Sequence, residues 1–152
     1  MLPTSADPET GPGPGAGTRV ARPLRAGGWL LVVLFVGSGV LHLVRPAVFE
    51  PIVPGVLPAP RLLVHLSGVA ELACAAGLVL PPARRWAGWA SAVLLVAIFP
   101  ANVTMAVDAW QDWRAGRASG PYLAGTLVRL PLQLPLVWWA WRVTRPRDRL
   151  DP

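Results

Sequence analysis

Four stretches of this chain run almost without charge: Gly27 to Val44, Leu62 to Leu80, Trp86 to Val107 and Tyr122 to Trp141. A helix rising ~1.5 Å per residue needs ~20 apolar residues to cross a ~30 Å hydrocarbon core, and each stretch is close to that length. The helices of a soluble bundle would each need a polar face, and these segments have almost none. The expected fold is therefore all-α, an integral membrane four-helix up-down bundle.

All 14 basic side chains are arginines, and excess arginine is what a phosphate backbone attracts. Their positions argue for membrane topology instead, and against nucleic acid as a partner. Arg19, Arg22 and Arg25 precede the first apolar stretch, Arg84 and Arg85 sit between the second and third, and Arg142, Arg145, Arg147 and Arg149 follow the fourth. The other side carries Arg45, Arg61, Arg114 and Arg117. This bias puts both termini inside, N-in and C-in.

Residues 1–26 are rich in Gly and Pro and poor in apolar side chains, so they read as a disordered cytoplasmic tail. Residues 27–145 form the transmembrane domain and 146–152 a second cytoplasmic tail. The glycines of the first tail lack the strand and helix that a nucleotide-binding fingerprint requires. No Ala-x-Ala site follows the first apolar stretch, so it reads as a retained anchor rather than a cleaved signal. The single cysteine, Cys74, has no internal partner for dithiol chemistry.

The first connection, "RPAVFEPIVPGVLPAPR", is Pro-rich yet too apolar to be freely solvated, as expected of a segment lying on the outer surface or folded over the helix ends. "PPARR" is short enough to force an antiparallel pair. The third connection, Asp108 to Pro121, reads as a polar outer loop. Trp110 and Trp113 lie near the outer interface, and Trp29, Trp86, Trp89, Trp138, Trp139 and Trp141 near the inner one, where an amphipathic ring is at home.

Two charges fall inside the apolar stretches. Counted from the outer ends, Glu71 lies ~15 Å deep and Arg129 ~10 Å deep. Intramembrane charges cost at least ~2.5 kcal/mol at a helix centre and usually face the interior in pairs. The expectation is a Glu71–Arg129 ion pair within one polar cluster in the outer half that also takes in Ser67, Asn102, Gln133 and His42. Ser67, Gly68, Cys74 and Ala75 share the face of Glu71. Pro100, Pro131 and Pro135 free backbone carbonyls that protein or water must satisfy. The cluster reads either as a staple between helices or as a site for protons, a quinone-like ring or a small polar solute. Haem bound by His42 and His65 is disfavoured, because His65 points 120° away from Glu71 around its helix. Metal ligands at local spacing, a nucleophile elbow and a usable glycosylation site at Asn102 are all missing from the sequence.

Several short motifs carry a family resemblance: His-x-x-x-Pro at His42 and Pro46, the Val-Pro…Leu-Pro loop, "SGVAE" at 67–71, "FPAN" at 99–102 and "RLPLQ" at 129–133. In order and spacing, over most of residues 37–141, they resemble the DoxX family of small four-helix bacterial membrane proteins. The resemblance implies a multi-pass protein of the bacterial inner membrane. It also implies an accessory or redox-associated subunit that acts with a partner near the quinone pool. His65 and Cys74 depart from the aromatic and small residues that relatives commonly carry there. A small-solute or proton-handling protein is the alternative, and a structural assembly factor the third reading. The expected partners are the lipid bilayer and either a redox protein or a second copy of the chain. Quinone remains open as the cofactor.

Overall fold

The computed structural model describes residues 23–145. The expected tails therefore lie outside the described residues, except for the short lead-in from Pro23. Four α-helices follow in order: α1 (Ala26–Val44), α2 (Pro60–Val79), α3 (Arg84–Arg114) and α4 (Gly120–Thr144). Among the described residues there is no strand. Helices α1, α2 and α3 are long and apolar enough to cross a membrane. α4 has the length, at 25 residues, but Arg129, Gln133 and three prolines dilute its apolar character.

Successive helices pack antiparallel, α1 on α2, α2 on α3 and α3 on α4, and α1 also touches α4. Side chains of the interior are small or medium-sized: Leu31, Leu78, Ala75 and Ala140 are fully enclosed. Glu71, Ser91, Thr126, Gln133 and Thr144 are buried with them, while Val33, Val93, Val96 and Leu134 are more than 60% exposed. Large apolar side chains facing outward along helices long and apolar enough to cross a membrane suit a molecule whose solvent is hydrocarbon. The chain is a membrane protein by this criterion.

The helix ends have local causes. Ser119 caps α4 by accepting from the Tyr122 amide, and Pro121 occupies the first turn, where a missing N–H is harmless. Arg84 donates from Nε to the Leu78 carbonyl at 2.9 Å and from Nη2 to the Val79 carbonyl at 3.2 Å, so it closes the C-terminus of α2.

One expectation needs correction. The polar segment from Asp108 is not a loop, because α3 continues to Arg114 and the turn is confined to Ala115–Ser119. Nothing in Asp108–Arg114 breaks a helix, so polarity alone was a poor guide to its end. At 31 residues α3 is about 46 Å long, well beyond a ~30 Å core. Pro131 and Pro135 lie inside α4, which remains one helix as expected.

The two hairpins are also offset in height. Gly77 packs against Ala87, so in this antiparallel pair the start of α2 at Pro60 stands level with Thr104. Everything beyond Thr104 on α3, with the facing first part of α4, projects past the α1–α2 end. The first connection fills the step. It forms two single 3-10 turns, Pro46–Val48 and Glu50–Ile52; both lie on α2, the first also touches α1 and the second α3. Arg61 Nε and Glu50 Oε1 meet there at 3.7 Å.

Candidate functional site

The site is built where the α1 and α2 backbones come closest. A Cβ placed on Gly39 would sit 2.8 Å from the Gly68 carbonyl oxygen, and one on Gly68 would sit 2.9 Å from the Gly39 carbonyl oxygen. The contact is reciprocal because the sequence is. α1 reads Ser38-Gly39-Val40-Leu41-His42 and α2 reads Ser67-Gly68-Val69-Ala70-Glu71. Run antiparallel and joined at their glycines, the two pentapeptides form a local twofold that sets His42 against Glu71. This repeat is the signal in the sequence that could have identified the pair.

Glu71 is 2% exposed. Its Oε1 accepts from the Ser67 hydroxyl at 3.5 Å. Oε2 is buried, makes no hydrogen bond of full geometry among the described residues and lies 3.7 Å from His42 Nδ1, while the Ser38 hydroxyl of α1 also approaches the carboxylate. That nitrogen is also 2.7 Å from the Ser38 carbonyl and 3.2 Å from the Ser38 hydroxyl. A carbonyl can only accept, so its short contact assigns the ring proton to Nδ1 and leaves Nε2 as the basic nitrogen. Phe49, from the first connection, stacks on the imidazole with centroids 4.0 Å apart and planes at 19°. The connection thus covers the end of the site formed by the α1 C-terminus and the α2 N-terminus. One turn further along α2, Cys74 is buried, and Ser91 faces it from α3 with a fully buried hydroxyl.

The expected ion pair is absent. Glu71 has His42 as its basic neighbour, whereas Arg129 is exposed and donates from Nη1 to Met105 Sδ at 3.1 Å. The offset between the hairpins explains the miss. Met105 and Arg129 stand near the height of Pro60, about 16 Å of helix rise from Glu71. Counting depth from the first apolar residue of α4 assumed that both hairpins start at one level.

The single polar cluster also divides in two. Glu71, His42 and Ser67 gather between α1 and α2, whereas Asn102 and Gln133 join α3 to α4. Asn102 Nδ2 donates to Gln133 Oε1 at 3.0 Å, and Gln133 Nε2 donates to the Leu95 carbonyl. Leu95 lies one residue before Val96, whose own helical donor Pro100 removes. Gln133 therefore bonds the strained turn of α3, which is a structural task. Among the described residues, no group of three or more His, Cys, Asp or Glu side chains is placed to hold a metal ion.

Residues 25–144 match a family described as a domain of unknown function, DUF8561. No curated protein and no solved structure matches the chain. The family match covers the whole region that carried the resemblance to DoxX, and it overturns that assignment. The shared pieces were short glycine, proline and small-residue motifs. Close helix packing in lipid calls for such motifs in many unrelated proteins.

Proposed function

The chain belongs to the DUF8561 family, a domain of unknown function, and we propose that it is a proton-handling protein whose working pair is Glu71 and His42. It spans the bacterial inner membrane as a four-helix up-down bundle. Arg25, Arg84, Arg85, Arg142 and Arg145 share one end, which the positive-inside rule assigns to the cytoplasm.

One observation carries the reading: a carboxylate oxygen deep in the interior makes no full hydrogen bond and faces an imidazole that is itself tied to α1. A staple would engage both oxygens, since an unsatisfied buried acceptor costs about 1–3 kcal/mol. An acid that exchanges a proton needs an oxygen left free to receive it. His42 Nε2 takes a proton from the outer side, the imidazolium passes its Nδ1 proton to Glu71 Oε2, and the ring is left neutral with its proton on Nε2. Loss of the carboxyl proton from Glu71 towards the inner side, with return of the ring to the Nδ1–H tautomer, resets the pair. Inward from Glu71, the Cys74 thiol and Ser91 hydroxyl are the nearest polar groups along α2 and α3.

The redox-associated reading drew its support from the resemblance that the family match replaces, and neither Glu71 nor His42 adds to it. The test is proton flux into liposomes holding a trapped pH dye, with the potential clamped by potassium and valinomycin. Wild-type protein is expected to pass protons, and Glu71→Gln and His42→Gln to lose that flux while keeping wild-type circular dichroism and elution volume. Flux in Glu71→Gln equal to wild type, or no flux above empty liposomes from folded protein, overturns the proposal.

A further inference from the structure

A groove of about 460 Å³ runs along the outside of the α3–α4 pair, lined by Val96, Phe99, Gln133, Leu134, Val137, Trp138 and Trp141. That volume falls within the ~300–1,000 Å³ typical of ligand sites. It is almost wholly apolar, because Gln133, its one polar lining residue, spends its amide on Asn102 and the Leu95 carbonyl. The remaining donors, the Trp138 and Trp141 indole N–H groups, lie towards the Arg142 end of the lining. A hydrocarbon chain needs only the walls.

The end of the groove is charged. The Arg142 guanidinium lies 4.5 Å above the Trp138 ring and that of Arg145 lies 3.7 Å above the Trp141 ring. Among the described residues neither has a carboxylate partner. Stacking occupies the guanidinium face and leaves its N–H edges free, and those edges match phosphate oxygens. From Gln133 to Arg142 the rise is about 13 Å, enough to hold a substantial length of acyl chain.

We propose that this groove binds one anionic phospholipid, its acyl chain lying from Trp141 towards Gln133 and its phosphate held by Arg142 and Arg145. The site is independent of Glu71. It converts the inner-leaflet end of α4 from a generic basic rim into a specific lipid contact, and its neutral wall sets it apart from the attraction of surface arginines alone.

The experiment is native mass spectrometry of the full chain in detergent, titrated with phosphatidylglycerol and phosphatidylcholine of identical acyl chains. One phosphatidylglycerol per protomer is expected to bind in preference to phosphatidylcholine. Arg142→Gln/Arg145→Gln should weaken it about thirtyfold, from two near-surface charges. Val96→Trp, on the facing helix at a 61% exposed position, fills the groove with both arginines intact and should weaken it at least about tenfold; Leu134→Trp gives a second groove-filling variant. Glycerol phosphate, which has the head group and no chain, should not compete. Equal retention of the two lipids, or wild-type affinity in a folded groove-filling variant, overturns the proposal.

Discussion

Replacing Gly68 with Ala tests the contact that builds the site. The added Cβ would lie 2.8 Å from His42 Cβ, 2.9 Å from the Gly39 carbonyl oxygen and 3.4 Å from Leu43 Cδ2. Two carbons settle at about 3.5–4.0 Å, so α1 and α2 must part by roughly 0.7 Å or more. Both nearest atoms belong to or adjoin backbone and cannot swing aside. Overpacking of this kind costs about 1–3 kcal/mol, offset by up to about 1 kcal/mol because Ala is the better helix former. Gly37→Ala isolates the steric part, since its Cβ would meet nothing within 4 Å and only the propensity gain remains. The two variants should therefore differ in stability by about 1–3 kcal/mol, or roughly 2–12 °C in melting temperature. Thermal unfolding in detergent reads this directly. Because His42 travels with α1, its 3.7 Å approach to Glu71 lengthens too, and proton flux should fall in Gly68→Ala alone. Equal melting temperatures and equal flux for the two variants would refute the close-approach argument.

Other perturbations separate the two polar centres. Gln133→Leu strands the Asn102 amide and removes the side-chain bond to the Leu95 carbonyl, so it should destabilise the α3–α4 pair by about 1–3 kcal/mol in chemical or thermal unfolding and leave the flux per folded molecule unchanged. The reciprocal Glu71→Arg/Arg129→Glu swap, which would restore an ion-paired staple, should instead lower the yield of folded protein below either single change. It buries a guanidinium beside His42 with no acid in reach. Phe49→Ala removes the ring stacked on His42, worth about 0.5–1.5 kcal/mol, and should speed deuterium exchange of backbone amides around Arg45–Val53.

The spans of α1 and α2 were legible to within a residue or two, because long uncharged stretches have one stable form in hydrocarbon. The end of α3 was not. Asp108–Arg114 is polar but contains no helix breaker, and whether a helix stops at the membrane surface or runs past it depends on what it packs against. The partner of Glu71 was lost for a related reason. Depth counted along one helix does not fix height relative to another, and the offset is set by contacts such as Gly77 on Ala87. His42 and Ser67 were recognised as residents of the cluster, but their relation was hidden in the Ser-Gly-Val repeat, which makes sense only once α1 and α2 are laid antiparallel. Asn102 and Gln133 were joined to Glu71, whereas they meet each other, since residues at similar depths on different helices need not face one centre.

The central claim is that the carboxyl of Glu71 gains and loses a proton in the folded protein. Infrared difference spectroscopy of the reconstituted chain across a pH step measures this most directly, through the C=O stretch of a protonated carboxylic acid. The account predicts a carboxyl band that changes with pH in wild type and vanishes in Glu71→Gln. A spectrum in which every pH-dependent carboxyl band survives that substitution would contradict it and leave Glu71 a fixed element of the α1–α2 contact.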